Sequence, residues 1–212
     1  MKQAATESGI SRLTFMQAIL VPVKSFLEAK HRLDPTLDDA ARQRLARDLA
    51  SIVLGARGSA PLFVACDDNA VADWALSEGA SVLWTPGLGL SGAVRAGVDY
   101  LGREGFERVV VAHADLPFVT DLDRFGLDRS GESDGITIAP DHRLDGTNVI
   151  SLPTSVPFSF FYGYRSYPKH RAEASRLGLA CHTVFDWRLA SDIDLPSDLA
   201  LIPDLLKRKT TI

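Results

Sequence analysis

The chain has 212 residues, which predicts one folded domain, because domains of about 100 to 200 residues are the commonest. Its 27 acidic residues outnumber its 23 basic residues, giving a formal net charge of −4. This balance excludes a protein that holds nucleic acid through a general basic face, so any anionic ligand must be bound locally.

No segment of the sequence predicts membrane insertion or export. The longest apolar run, residues 18–23, is stopped by Lys24 and is much shorter than the roughly 20 residues of a membrane-spanning helix. No small-residue cleavage site follows it, so it lacks the form of a secretory signal. The two cysteines, Cys66 and Cys181, form no Cys-x-x-Cys pair, and we expect reduced thiols in a cytoplasmic protein.

The first half of the chain alternates short apolar strands with amphipathic helices, which is the pattern of right-handed βαβ units. The predicted strands cover residues 18–23, 62–66, 81–84 and 108–113. The first helix is predicted to begin at Thr36, because Thr36 and Asp39 have the spacing of a capping box. The second is capped by Asn69, and the third covers residues 91–103. A parallel sheet covered by helices is expected.

After Asp115 the predicted strands are shorter and separated mainly by loops, covering residues 135–139, 148–152, 158–162 and 181–185. Helices are predicted over residues 166–177 and 197–207, the second capped by Ser197. No Pro-, Gly- or Ser-rich linker divides the halves, so we expect them to share one sheet. The sequence therefore predicts an α/β fold with a mostly parallel mixed sheet in a single domain over residues 18–212, after an N-terminal extension of residues 1–17.

A basic loop follows the first predicted strand and contains Lys24, Lys30 and Arg32. Open α/β sheets bind ligands at the carboxyl ends of their strands, so these cations could surround a polyphosphate. The alternative is a solvated loop in which Glu28 pairs with Arg32 across one helical turn. No Gly-x-Gly-x-x-Gly follows this first strand, which argues against a dinucleotide site, and the sequence has no Gly-Lys-Ser/Thr motif, which argues against a P-loop.

Acidic residues occur where the fourth strand ends and again near the carboxyl terminus. Asp115 follows the apolar strand, and Asp192 and Asp194 alternate before a predicted helix start. Together they offer the hard oxygen ligands that magnesium prefers. The alternative is that these carboxylates only form turns or helix caps, as we expect of Asp198. His113 is expected to lie in the core or behind the ligands.

Three further loops contain small residues where a backbone could approach a ligand. Residues 86–92 precede a helix whose amino terminus could receive a phosphate or a base edge. Residues 145–148 and 162–166 offer hydroxyl groups and free amides. Tight turns explain each loop equally well when it is taken alone.

Taken in chain order, these segments resemble the 2-phospho-L-lactate guanylyltransferase family over about residues 18–202. The matching motifs are Pro22-Val23-Lys24 with Lys30-x-Arg32-Leu33, Ala114-Asp115-Leu116-Pro117, Asp145-Gly146-Thr147-Asn148, Gly163 with Ser166, and Asp192-x-Asp194-x-Pro196-x-Asp198-Leu199. The resemblance implies a three-layer nucleotidyltransferase fold of the glycosyltransferase A type. It also implies transfer of GMP from GTP to 2-phospho-L-lactate, phosphoenolpyruvate or 3-phospho-D-glycerate, with release of pyrophosphate, in coenzyme F-420 biosynthesis.

The resemblance also implies roles for particular residues. Lys24 and Asp115 would be catalytic, magnesium would be held by Asp115, Asp192 and Asp194, and the acceptor by Thr147, Gly163 and Ser166. The nucleotide would contact Pro22, Val23, Lys24, Lys30, Arg32, Leu90, Ser91 and Gly92. This chain departs from the family pattern at Ser91-Gly92, where an asparagine is usual, and at His113, where a glycine is common.

Other functions remain open at this point. Another nucleotidyltransferase on the same scaffold, either a cytidylyl or a sugar-phosphate guanylyl enzyme, would share the motifs, since fold does not fix substrate. A catalytically silent nucleotide-binding domain is a second alternative, because the usual asparagine and glycine are missing. The aromatic stretch over residues 158–167 could be core, acceptor wall or the contact of a homodimer.

Overall fold

The computed structural model describes residues 16–127 and 135–207. Its centre is a seven-stranded sheet with the order β3-β2-β1-β4-β6-β5-β7. The strands are β1 Gln17–Pro22, β2 Leu62–Cys66, β3 Ser81–Trp84, β4 Arg108–Ala112, β5 Ile136–Pro140, β6 Thr147–Pro153 and β7 Cys181–Thr183. β1, β2, β3 and β4 are parallel to one another, whereas β6 runs antiparallel to both β4 and β5. The mostly parallel mixed sheet is confirmed.

Helices cover both faces of this sheet. They are α1 Asp39–Gly55, α2 Asn69–Ser77, α3 Gly89–Arg103, α4 Ser166–Arg176, α5 Trp187–Ala190 and α6 Pro203–Leu206. Three 3-10 turns lie at Phe26–Glu28, His31–Leu33 and Pro196–Leu201. No helix in the two described ranges is long and apolar enough to cross a membrane.

Alternation along β1 shows how the three layers form. Ile19 and Val21 enter a core with α1 and α2, while Ala18 and Leu20 enter a second core with α3 and α4. All four residues are fully buried, as expected for a strand covered on both faces. β1 begins at Gln17, which is the last residue of the predicted N-terminal extension. Residues 1–15 lie outside the described part of the chain.

The packing of α3 on β1 depends on a glycine. A Cβ atom on Gly97 would lie 2.7 Å from Leu20 Cδ2. We expect Gly97→Ala to lower the free energy of unfolding by about 1–3 kcal/mol, because it overfills a close-packed core. Gly55→Ala is the matched control, since its Cβ would meet no atom within 4 Å, and its stability should be unchanged or slightly higher. Equal denaturant midpoints for the two variants would contradict this packing.

Several predicted helix ends are wrong. Asp38, and not Thr36, caps α1 by accepting a hydrogen bond from the Ala41 amide. Asp68, and not Asn69, caps α2 in the same way. Both caps are aspartates immediately before the first helical residue, and each outcompetes the nearby residue that sequence spacing favoured.

The single carboxyl-terminal helix predicted over residues 197–207 is also wrong. The structure has a 3-10 turn at Pro196–Leu201 and the short helix α6, which begins at Pro203. Proline lacks the amide that a continuous helix needs at this position. Asp198 accepts hydrogen bonds from the amides of Asp194 and Leu195, so its predicted role as a cap is confirmed, whereas Ser197 is not the cap.

Residues 158–162 alternate between buried and more exposed positions, as an extended segment does, but they form no strand. Side chains of two helices take the place of a neighbouring strand. Glu173 Oε1, His170 Nε2 and Ser91 Oγ accept hydrogen bonds from the amides of residues 159, 161 and 162, over distances of 2.9 to 3.0 Å. The prediction of a strand was therefore wrong because the period-two pattern reports an extended backbone and not its hydrogen-bond partner.

Candidate active site

A cleft of about 160 Å³ opens where β1 and β4 end. A second cavity adjoins it beside the ends of β2 and β3, and the two share four lining residues: Pro22, Val23, Lys24 and Leu90. Lys30, His113 and Asp115 line only the first cavity. The cleft thus lies at the carboxyl edge of the parallel strands, where open α/β sheets bind their ligands.

Lys30 connects the basic loop to the acidic residues. Its backbone has a φ of 59°, a left-handed conformation that is unusual for a residue with a side chain. The side chain turns inward and is only 9% exposed, with Nζ 2.6 Å from Asp115 Oδ2 and 3.1 Å from Asp194 Oδ1. Backbone strain of this kind is typical of functional sites and is maintained here by two ion pairs.

The acidic residues meet at this carboxyl edge of the sheet, which forms the rim of the cleft. The loop containing Asp192 and Asp194 is held against the end of β4, because the Ile193 amide donates to the Asp115 carbonyl over 3.3 Å. Burial and then the negative charges of Asp115 and Asp194 raise the pKa of Asp192 to about 6. Asp192 Oδ1 accepts a hydrogen bond from Asn148 Nδ2. The predicted convergence of these carboxylates is therefore what the structure shows.

Charge neutralisation by Lys30 balances the burial of Asp115. Burial alone would raise the pKa of Asp115, but the Lys30 ammonium outweighs it and holds this pKa below its usual value. Burial would likewise lower the pKa of Lys30, and Asp115 with Asp194 raises it instead. Both groups are consequently charged at neutral pH.

The donors at this rim fit a magnesium ion that water and substrate also coordinate. Across the described ranges, no three His, Cys, Asp or Glu side chains form a ready metal cage. Asp115 Oδ1, however, is buried and no described residue forms a hydrogen bond with it. Magnesium commonly takes one or two carboxylates and completes its shell with waters and substrate phosphates. Magnesium binding by Asp115, Asp192 and Asp194 stays a prediction.

The other predicted cations differ in what they contact. Lys24 is exposed at the cleft and forms no ion pair with any residue of the described ranges, so its ammonium is available to an anion. Arg32 lies outside the cleft, with NH1 3.4 Å from Asp194 Oδ2. Arg32 therefore does not pair with Glu28 as the solvated-loop alternative supposed, and it joins Lys30 beside Asp194.

Of the three residues predicted near the base, only Leu90 lines the cleft. Ser91 Oγ is occupied by the Tyr162 amide, so this side chain supports the extended segment instead. Gly92 faces its own helix end, since a Cβ there would lie 3.0 Å from Leu88 Cβ. The amino terminus of α3 has no side-chain cap.

The three predicted acceptor residues lie together, but two of them are buried. The Thr147 amide donates to Ser166 Oγ over 2.8 Å, and Thr147 is fully buried. Gly163 is exposed, has a φ of 105° and has open space where a Cβ would stand. In this arrangement Thr147 and Ser166 shape the backbone, and the open side of Gly163 faces outward.

His170 completes this network and was not identified from the sequence. Its Nε2 accepts from the Phe161 amide, so the ring proton of the neutral form is on Nδ1, which donates to Thr147 Oγ1 over 2.9 Å. Burial, together with the neighbouring His113, lowers the pKa of His170 to about 4. A histidine within a helix gives no sequence signal of such a role.

His113 lines the cleft, with its ring centroid 5.1 Å from that of Tyr162. Burial lowers its pKa, so the ring is neutral near pH 7. Its Nε2 is buried and accepts or donates no hydrogen bond among the described residues. His113 therefore forms part of the cleft wall, whereas the sequence predicted a position in the core or behind the ligands.

The neutral state of His170 predicts a pH dependence of stability. Because its pKa falls from 6.5 unfolded to about 4 folded, its contribution is complete above pH 6.5 and is lost as the pH falls toward 4. The loss should reach about 3 kcal/mol at most. His170→Gln keeps an acceptor for the Phe161 amide but does not titrate. Urea unfolding at pH 7 and pH 4.5 should show a smaller acid loss in the variant, and identical losses would contradict this assignment.

The family model described as guanylyl transferase CofC like matches residues 16–204. A phosphoenolpyruvate guanylyltransferase of Sphaerobacter thermophilus is 33% identical over 184 residues, covering 85% of this chain and 89% of that protein. A 2-phospho-L-lactate guanylyltransferase of Methanothermobacter thermautotrophicus is 32% identical, covering 86% and 82%. A 3-phospho-D-glycerate guanylyltransferase of Phenylobacterium zucineum is 28% identical, covering 86% and 88%.

Solved structures agree on the fold. The crystal structure of 4-diphosphocytidyl-2C-methyl-D-erythritol synthase superposes with a TM-score of 0.60 at 12% identity, covering 92% of this chain and 100% of that one. At this identity the likeness shows the nucleotidyltransferase architecture alone, as predicted. Together with the family match over nearly the whole described chain, the sequence relatives decide the assignment. The chain belongs to the CofC-like guanylyl transferase family.

Proposed function

We propose that this chain transfers GMP from GTP to a phosphorylated three-carbon acid, with release of pyrophosphate, in coenzyme F-420 biosynthesis. The acid would be phosphoenolpyruvate, 2-phospho-L-lactate or 3-phospho-D-glycerate, the three acceptors named for its relatives. One observation carries the proposal: Lys24, Lys30, Asp115 and Asp192 converge on one rim of the sheet beside an open cleft.

The basic residues would bind the triphosphate. Lys24 is free and exposed, so it would contact the phosphates first and offset the charge that develops on the departing pyrophosphate. Lys30 pairs with Asp115 and Asp194 and lines the same cleft. Arg32 extends this positive region toward solvent. Each charge-assisted contact contributes on the order of 1.5 to 3 kcal/mol.

The acidic residues would hold magnesium. Asp115 supplies the unpartnered oxygen Oδ1, and Asp192 supplies a carboxylate whose ionisation is disfavoured until a cation arrives. Magnesium, when bound, would neutralise charge on the phosphates of the nucleotide. Lys30 would have to share or release Asp115 when the ion binds.

The acceptor needs positioning more than activation. Its phosphate oxygen is already anionic, so it can attack the α-phosphorus in line without a strong general base. The exposed backbone at Gly163 would receive the acceptor, supported from behind by Thr147, Ser166 and His170. Phosphoenolpyruvate differs from 2-phospho-L-lactate by a double bond, whereas 3-phospho-D-glycerate carries its phosphate on C3 beside a free C2 hydroxyl. The shape of the surface around Gly163 would select among the three acids.

Separate incubations of GTP and magnesium with each of the three acids test the proposal. Pyrophosphate should appear with at least one acid and not without acceptor, and the mass of the product should equal acid plus GMP. Addition of EDTA should abolish release. Nucleotide binding without pyrophosphate release with any acid would instead favour the silent binding domain, and turnover of CTP in preference to GTP would favour a cytidylyl enzyme.

A further inference from the structure

The second cavity of the cleft contains a carboxylate with no assigned role. Asp67 follows β2 directly, is exposed, and lines this cavity together with Lys24 and Leu90. It accepts no hydrogen bond and forms no ion pair within the described ranges. Its neighbour Asp68, in contrast, is used by the fold, since it caps α2 through the Val71 amide.

Asp67 is available to accept hydrogen bonds from a ligand in this cavity. The other polar side chains that line it are Lys24, Cys66 and Thr85. Lys24 is a cation and offers only donors. Thr85, whose hydroxyl donates to the Cys66 carbonyl over 3.4 Å, and Cys66 are both buried. A ligand group that donates hydrogen bonds in this cavity therefore has one exposed acceptor side chain to meet, the carboxylate of Asp67.

The position of this cavity relates it to the nucleotide. Lys24 and Leu90 line both cavities, and Asp115 lines the first. A nucleotide whose phosphates lie between Lys24 and Asp115 can therefore extend its base into the cavity at Asp67. The Ser91 hydroxyl does not compete for this role, because Ser91 lines neither cavity and its Oγ accepts from the Tyr162 amide.

We propose that Asp67 selects guanine by accepting hydrogen bonds from N1–H and from the 2-amino group of the base. An ionised carboxylate only accepts hydrogen bonds, and its two oxygens match two adjacent donors. Guanine presents these donors side by side, whereas adenine and cytosine each place an acceptor nitrogen on the same edge, facing the negative charge. The inference rests on the proposed function, which makes GTP the donor.

The Asp67→Asn variant tests this pairing because asparagine replaces one acceptor with a donor. Xanthine carries an oxygen where guanine carries its 2-amino group, so the variant matches XTP instead of GTP. We expect kcat/KM for GTP to fall about tenfold to hundredfold and kcat/KM for XTP to rise, mainly through the KM of the nucleotide. The KM of the acceptor acid should not change.

Asp73→Asn is the matched control, because Asp73 is an exposed residue of α2 outside both cavities. It should keep the wild-type ratio of GTP to XTP. An unchanged ratio in Asp67→Asn would overturn the inference. Calorimetric binding of GTP and XTP without acceptor gives a second readout, in which the same reversal is expected. If no acid supports pyrophosphate release but the binding preference reverses, the proposed reaction fails and the role of Asp67 stands.

Discussion

Replacing Asp115 by asparagine should lower turnover by at least about 10²- to 10³-fold. The variant removes the negative charge that pairs with Lys30, and it replaces one of the two carboxylate oxygens, of which Oδ2 pairs with Lys30 and Oδ1 is free for magnesium, by an amide nitrogen. Asparagine has nearly the same shape, so the cleft keeps its form. The measurement is pyrophosphate release at saturating GTP and acceptor, with magnesium varied up to concentrations well above those that saturate the wild type.

The fold should survive this change, because the Lys30 ammonium keeps its contact with Asp194. Circular dichroism and the denaturant midpoint check that expectation. Asp99→Asn is the control, since Asp99 pairs with Arg95 on α3, away from the cleft, and its loss should leave turnover unchanged. Near-normal turnover of Asp115→Asn with magnesium would show that the ion and the phosphates are bound elsewhere.

Replacing Asp192 by asparagine should make the substrate-free protein more stable and the enzyme slower. The pKa of Asp192 is raised from 3.8 to about 6, so the folded state binds more protons than the unfolded state between these values. Stability is therefore lost as the pH rises through this window, and at pH 7 the ionised group destabilises the fold. Removing the charge should recover up to about 3 kcal/mol, while the amide oxygen of the new side chain can still accept from Asn148.

Paired measurements distinguish this prediction from a structural role for Asp192. Urea unfolding of both proteins at pH 4 and pH 7 should show the gain in the variant only at the higher pH. Turnover at pH 7 should fall by at least about tenfold, since a charged ligand that repels its neighbours is retained for function at the expense of stability. Lower stability at pH 7, or unchanged turnover, would contradict the assignment of Asp192 as a ligand.

The parallel half of the sheet could be predicted because its strands are short, apolar and separated by amphipathic helices. The bounds of β2 and β3 match the prediction residue for residue. The extended segment over residues 158–162 could not be predicted correctly. Its amides are bonded to Glu173, His170 and Ser91, which belong to other elements, and local periodicity carries no information on such partners.

The rim of the site could also be predicted, for a topological reason. β1 and β4 are parallel neighbours, so the loop with Lys30 and the end at Asp115 had to meet at one edge. What the sequence did not show is the inward turn of Lys30, which depends on its left-handed backbone. It also did not show the burial of Thr147 behind Gly163, which depends on the partner His170.

The central claim is that Asp115 and Asp192 would together hold the magnesium ion that accompanies the triphosphate. A crystal of the protein with manganese in place of magnesium, GTP and a non-reacting acceptor analogue tests it directly through the anomalous signal of manganese. We predict a single peak in contact with both Asp115 and Asp192, with the β- and γ-phosphates near Lys24. A peak remote from these carboxylates, or GTP bound with the Lys30–Asp115 pair intact and no manganese between the two aspartates, would contradict the account.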